Sequence, residues 1–69
     1  MANRMRQLRE AKGWTQAYLS EISGVSRPTI VSLESGEALT AKTATLAKIA
    51  DALGESISEV FFYHKSLTY

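Results

Sequence analysis

The four glycines of this chain divide it into short segments, and each glycine follows a stretch in which apolar residues recur at helical spacing. They are Gly13, Gly24, Gly36 and Gly54. Glycine is favoured directly after a helix because it adopts the left-handed backbone conformation of a C-cap without steric penalty. Since the glycines leave room only for brief elements, the sequence predicts an all-α fold of short helices.

Apolar spacing and capping residues place five helices between these breaks. The strongest amphipathic pattern, with i, i+3, i+4, i+7 spacing, is formed by Leu46, Ile49, Ala50 and Leu53. Ser56 and Glu59 have the spacing of a capping box and predict a short last helix. Pro28 is compatible with the third helix because it falls in the first turn. The predicted helices cover about residues 3–12, 16–23, 26–35, 41–43 to 53, and 57–61, with a loop over 37–41.

The means of stabilising so short a chain are limited. It has 69 residues, no cysteine and a single histidine, His64, so disulfides and thiolate metal sites are excluded. A domain of this size is marginally stable alone, which leaves side-chain packing and subunit association as stabilisers. We therefore expect one domain over residues 1–69 with no metal and no cofactor, and we expect His64 at the surface or in an interface.

Nothing in the sequence indicates a membrane or a secretory signal. No apolar run approaches the roughly 18 residues of a membrane span. The first residues, Met1 to Arg4, carry a charge without a following apolar stretch, unlike a signal peptide. A cytoplasmic protein without a membrane partner is expected.

The charge of the chain is small in total but unevenly distributed. The formal net charge is +1, yet residues 1–33 hold five basic and two acidic side chains, whereas residues 34–69 hold three basic and five acidic ones. A basic first half favours an anionic partner on that side of the molecule, although so few charges can also be divided in this way by chance.

The second and third predicted helices together have the pattern of a helix-turn-helix. Two short helices are joined by a turn at Gly24, and Ser20 is small enough for a close crossing. The residues spaced to pack in the angle between the helices are Leu19, Val25, Ile30 and Leu33. The turn therefore predicts a compact two-helix unit.

Several segments resemble the Cro/CI-type helix-turn-helix family, also called the Xre family, of phage-repressor-like regulators. The resemblance covers about residues 4–61 and lies in the segments 8–16, 24–30, 33–36 and 46–54, together with Leu19. It implies a five-helix lambda-repressor-like fold, to which we add an optional short C-terminal strand over Phe62 to Lys65. Ser20 stands where the family usually has alanine, which is harmless. Ser23 replaces an apolar residue, which is expected to loosen the end of the second helix.

In this family the third helix, here about Ser26 to Ser35, enters the major groove of DNA. The resemblance implies that Arg27 reads bases and that Gln16 binds a phosphate at the start of the second helix. Pro28 is limited to apolar contact, such as with a thymine methyl. The full set of implied DNA-binding residues is Gln16, Ser26, Arg27, Pro28, Thr29, Ser32, Lys42 and Thr43. There are alternatives for three of these residues: Ser26 could act only as an N-cap, and Gln16 and Arg27 could be solvated surface residues.

Other residues have structural interpretations. The resemblance implies a largely buried salt bridge between Arg9 and Glu34, the alternative being two separate surface charges. Trp14 is expected to cover the core rather than to bind a ligand. The other basic side chains near the first helix are expected on its solvated face. One of them could contact a phosphate, and they are Arg4, Arg6 and Lys12.

The C-terminal tail, residues 62–69, is apolar and aromatic and has no partner for a strand within the chain. We therefore predict that the tail and the last helix together form the interface of a homodimer, through Val60, Phe62, Tyr63 and Leu67. Coverage of the monomer core is the alternative, and it is expected for Phe61.

Taken together, these features predict a DNA-binding transcriptional regulator, namely a repressor that binds a palindromic operator as a homodimer. An antitoxin or another protein-binding module with the same fold is the alternative. An enzyme is not expected, because the sequence offers no nucleophile–base pair, phosphate-binding loop or metal cluster.

Overall fold

The structure is a computed structural model, and it describes residues 3–36 and 41–62. All regular structure in these two ranges is helical, which confirms the predicted all-α, lambda-repressor-like class. The helices are α1 (Met5–Ala11), α2 (Gln16–Ser23), α3 (Arg27–Ser35), α4 (Thr43–Leu53) and α5 (Ile57–Phe61). The optional strand beyond Phe62 lies outside the described residues.

The helices surround a single cluster of buried apolar side chains. Helix α4, which has the strongest amphipathic pattern, packs against α2 and α5 and contributes Ile49, Ala50 and Leu53. The other buried apolar residues are Met5, Leu19, Val25, Ile30, Leu33, Val60 and Phe61. Burying an aliphatic side chain of this size contributes about 1.5–3 kcal/mol, so this cluster provides most of the favourable free energy of folding.

The N-terminal segment differs from the prediction in where α1 begins. Asn3, placed in the helix by the sequence, lies before it, because its Oδ1 accepts the backbone N–H of Met5 at 2.9 Å. Its Nδ2 also donates to the carbonyl oxygen of Leu33 at 2.8 Å. One side chain thus caps the start of α1 and fastens it to the last turn of α3.

The turn between α2 and α3 is held by side-chain hydrogen bonds as well as by its glycine. Gly24 has a φ of 76°, and its N–H donates to the carbonyl of Ser20 at 3.0 Å. The Ser20 hydroxyl donates to the carbonyl of Val25 at 2.6 Å, and the Ser23 hydroxyl accepts the N–H of Val25 at 3.2 Å. Helix α2 extends through Ser23, whose hydroxyl satisfies a backbone N–H of the turn.

The predicted capping box at α5 forms only in part. The Ser56 hydroxyl accepts the N–H of Glu59 at 3.1 Å, as expected. The Glu59 carboxylate, however, lies 3.3 Å from a guanidinium nitrogen of Arg4. Because Arg4 also donates its backbone N–H to the carbonyl of Val60 at 2.8 Å, the start of α1 is joined to α5 by two contacts.

An ion pair connects α1 to α3. Nε of Arg9 lies 2.7 Å from Oε2 of Glu34, and Nη2 of Arg9 lies 3.1 Å from Oε1. The side chains are only 9% and 5% exposed. The hydrogen bonds to Glu34 raise the pKa of the Arg9 guanidinium above its ordinary value. Burial acts in the opposite direction, but its effect on the pKa is smaller. Arg9 is therefore positively charged wherever the protein is folded.

Two further groups depend on this ion pair. Nη1 of Arg9 donates to the carbonyl oxygen of Trp14 at 2.7 Å, which holds the loop before α2. Nε2 of Gln16 donates to Oε1 of Glu34 at 3.1 Å. The pair and its neighbours thus connect α1, the start of α2 and α3 through partly buried hydrogen bonds.

We predict that Glu34→Ala lowers the free energy of unfolding by about 3–5 kcal/mol, because it leaves the buried Arg9 charge unpaired. Urea unfolding followed by circular dichroism measures the loss. The double variant Arg9→Met, Glu34→Leu should recover much of it, since no buried charge remains. The matched control is Glu10→Ala, which removes an exposed carboxylate that lies 3.1 Å from Arg6 and 3.9 Å from Arg9 but leaves the Arg9–Glu34 pair intact, and it should cost less than about 1 kcal/mol. Equal losses for the two glutamate variants would contradict the prediction.

Candidate nucleic-acid interface

Helix α3 has one face in the core and one in solvent. Ile30 is fully buried and Leu33 is 4% exposed, so these two residues fix the rotation of the helix about its axis. The residues about half a turn around the helix from Ile30 and Leu33 face outward, because an α-helix has 3.6 residues per turn. The outward set, all exposed except the half-buried Ser32, is Arg27, Pro28, Val31, Ser32 and Ser35. We call these five residues the outer face of α3.

Two of the five were not singled out by the sequence. Val31 is 46% exposed, and Ser35 is also exposed at the last turn. The signal was available, because both residues are out of phase with Ile30 and Leu33. Val31 has no polar group in its side chain and Ser35 lies at the end of the helix, so neither is among the predicted DNA-binding residues.

The start of α3 is arranged differently from a standard N-cap. Ser26 occupies the N-cap position with an extended backbone, but its hydroxyl accepts no backbone N–H. Instead, the hydroxyls of Ser26 and Thr29 are hydrogen-bonded at 2.9 Å. Pro28 contributes to this arrangement because it lacks one of the N–H groups that a capping oxygen normally accepts. Two adjacent hydroxyls are thus held together at the start of the outer face.

Gln16 lies beside this face, at the first residue of α2, and is half-buried. One of its amide hydrogens is occupied by the bond to Glu34, which fixes the side chain, while a primary amide has a second hydrogen to donate. Gln16 lines a cleft with Arg6 of α1 and with Val31 and Ser35 of α3. The Arg6 side chain is 69% exposed, and its Nε lies 3.1 Å from the Glu10 carboxylate. The cleft therefore brings a cation and an amide to the edge of the outer face.

The other predicted phosphate-binding residues are at the start of α4. Lys42 is its N-cap and Thr43 its first residue, and both side chains are exposed. Of the basic residues of the first helix and the loop after it, Arg4 is paired with Glu59, and the Lys12 ammonium lies 5.3 Å from the centroid of the Trp14 ring.

Trp14 packs on the core from outside and forms an edge-to-face pair with Tyr18, with ring centroids 5.2 Å apart. Tyr18 and Ile22, one turn apart on α2, are 45% and 41% exposed. Two apolar residues of α2 that are three positions apart thus differ, with Leu19 in the core and Ile22 at the surface.

The predicted dimer residues also divide. Val60 has no exposed surface because it lies in the monomer core with Phe61, so it is not available to a second chain unless the core opens. Phe62 is 50% exposed at the end of α5. Tyr63 and Leu67, like His64, lie outside the described residues.

Within residues 3–36 and 41–62, no group of three or more acidic, histidine or cysteine side chains could hold a metal ion. No helix there has the length and apolar character needed to cross a membrane.

Comparison with known proteins agrees with this geometry. A family model described as helix-turn-helix matches residues 5–60, which is most of the chain and includes α1 to α4 and all of α5 except its last residue. A search of curated proteins returned no match. The matched family is a DNA-binding regulatory family and not a family of enzymes. The chain belongs to the helix-turn-helix proteins of the Xre, Cro and CI type, which are DNA-binding regulators.

Proposed function

We propose that this protein represses transcription by binding a palindromic operator as a homodimer, with α3 in the major groove, and that it has no catalytic activity. The observation that carries the proposal is the division of α3. Ile30 and Leu33 hold the helix in the core while Arg27 and its neighbours on the outer face are directed into solvent. A helix held in this way can enter a groove without rearrangement of the fold.

Base recognition is assigned first to Arg27. It is exposed at the first residue of α3, and the N-terminal residues of a recognition helix are those that meet base edges. A guanidinium can donate to O6 and N7 of guanine together, which is worth about 1–3 kcal/mol of discrimination. Ser32, one turn after Pro28, and the hydroxyl pair of Ser26 and Thr29 can bond to bases or phosphates.

Phosphate binding is assigned to residues around the outer face. Gln16 has an amide hydrogen to donate at the N-terminus of α2, where the helix dipole also attracts an anion. Arg6 lines the same cleft as Gln16. Lys42 and Thr43 provide further phosphate-binding groups at the start of α4. Such contacts position the protein on DNA and do not distinguish sequences.

Dimerisation is proposed because one recognition helix covers few base pairs. Two copies of α3 about 34 Å apart would read half-sites one DNA turn apart. Phe62 supports an interface at the end of α5, since it is a large apolar side chain that the core does not use. We propose Tyr63 and Leu67 as further contacts. Repression is the proposed outcome because occupying a promoter requires no contact beyond the DNA.

Docking of a protein partner, as in an antitoxin, is the second candidate function. The observation that favours it is the pair Tyr18 and Ile22, which places apolar surface on the outside of α2. Both functions can coexist, since the two sets of residues belong to different helices.

Selection from random duplex DNA with the purified protein should recover an inverted repeat. On that operator, Arg27→Ala should remove the preference for guanine at one position of each half-site, a loss of about 5–150-fold. Arg27→Lys is the matched control, because it keeps the charge but lacks the fork and should lose the same preference. Gln16→Ala should weaken all sequences alike, by about tenfold. Fluorescence anisotropy at fixed salt measures each ratio, and equal loss of preference in the Arg27 and Gln16 variants would refute the assignment.

For the dimer, Phe62→Ser should weaken self-association at least about tenfold, because it removes an apolar side chain from the interface without disturbing the monomer core. Analytical ultracentrifugation measures the dimer constant. Ile22→Ser is the matched control, an exposed apolar residue on another helix, and should leave the constant unchanged. If both variants associate as the unsubstituted protein does, the interface is not at Phe62.

A further inference from the structure

Val31 is the exposed apolar residue at the centre of α3. It is 46% exposed and lies one helical turn after Arg27 and three residues after Pro28. The three residues and Ser32 line one shallow hollow on the outer face. Isolated apolar side chains are common on protein surfaces, so its exposure alone assigns nothing. Its position inside the proposed DNA-reading face is what requires an explanation.

The major groove contains one apolar group that such a side chain fits. Every base edge there presents hydrogen-bond donors or acceptors, and thymine alone adds a methyl group at C5. Valine has no hydrogen-bonding atoms in its side chain, so it cannot distinguish the polar edges by bonding to them. It gains free energy in the groove only by excluding water from another apolar group.

We propose that Val31 is a specificity-determining residue that contacts the 5-methyl group of a thymine in the operator. This inference rests on the proposed function, since it requires α3 to lie in the major groove. It adds an apolar reading position to the guanine reading assigned to Arg27. Pro28, which shares the hollow, is the competing apolar contact.

The spacing along α3 fixes where this thymine lies. Four residues of an α-helix rise about 6 Å, and successive base pairs are about 3.4 Å apart. The methyl group read by Val31 should therefore lie within about two base pairs of the guanine read by Arg27. Because Pro28 directly follows Arg27 and lines the same hollow, this distance does not separate it from Val31, and variants of both residues are needed.

The test uses the operator recovered by selection, in which each thymine is replaced singly by deoxyuridine. This removes one methyl group and changes no hydrogen-bonding edge. With the unsubstituted protein, loss of the contacted methyl should weaken binding about fourfold. With Val31→Ala the same replacement should have almost no effect. Alanine favours helix more than valine does, and position 31 is exposed, so this variant should remain folded.

Two further variants locate the effect. Pro28→Ala is expected to weaken binding overall but to retain the fourfold thymine-to-uracil ratio at the Val31 position. Ile22→Ala, an exposed apolar residue on α2, is expected to change no ratio. Circular dichroism of every variant establishes that it is folded.

Three results would overturn the inference. In the first, Val31→Ala keeps the methyl effect at every position. In the second, the effect disappears in Pro28→Ala instead, which would assign the contact to Pro28. In the third, the operator has no methyl-sensitive thymine near the guanine. These results leave sequence-specific binding intact and so refute only the role of Val31, whereas failure to select any sequence would refute the proposed function and this inference together.

Discussion

The contact on which the rest of the structure depends is the buried ion pair between Arg9 and Glu34. A small domain without disulfides has few ways to fix the relative positions of its helices, and this pair fixes two of them with hydrogen bonds in a specific geometry. A buried ion pair adds little net stability compared with apolar packing, so we attribute its value to orientation. It also holds the carbonyl of Trp14 and the amide of Gln16, which set the start of α2 relative to α3.

Apolar packing and polar contacts therefore have separate tasks in this chain. The buried cluster supplies most of the free energy that holds the helices together, with α4 at its centre. The hydrogen bonds of Asn3, Ser20 and Ser23 determine how the chain enters and leaves particular helices. These bonds lie next to α3 and its turn, where a small rotation would alter which side chains meet a duplex.

The sequence predicted the helices well because glycine breaks and apolar periodicity are local signals. It predicted poorly which partner a polar side chain would choose. The Glu59 carboxylate binds Arg4, which is distant in sequence, and the Ser26 hydroxyl binds that of Thr29. It also placed Val60 at the surface, because a short helix with several apolar residues does not indicate which of them face inward. The family resemblance indicated α3 as the proposed reading helix, and the phase of Val31 relative to Ile30 and Leu33 already indicated that Val31 is exposed.

The two faces of α3 have a consequence for how such a protein can change over time. Residues that maintain folding and residues that would choose a DNA sequence alternate along the same nine-residue helix, yet they point in opposite directions. Substitutions on the outer side leave the interior undisturbed. A lineage can therefore acquire new target sites by a few replacements without first gaining spare stability, and the same separation would allow the outer residues to be exchanged deliberately between related proteins.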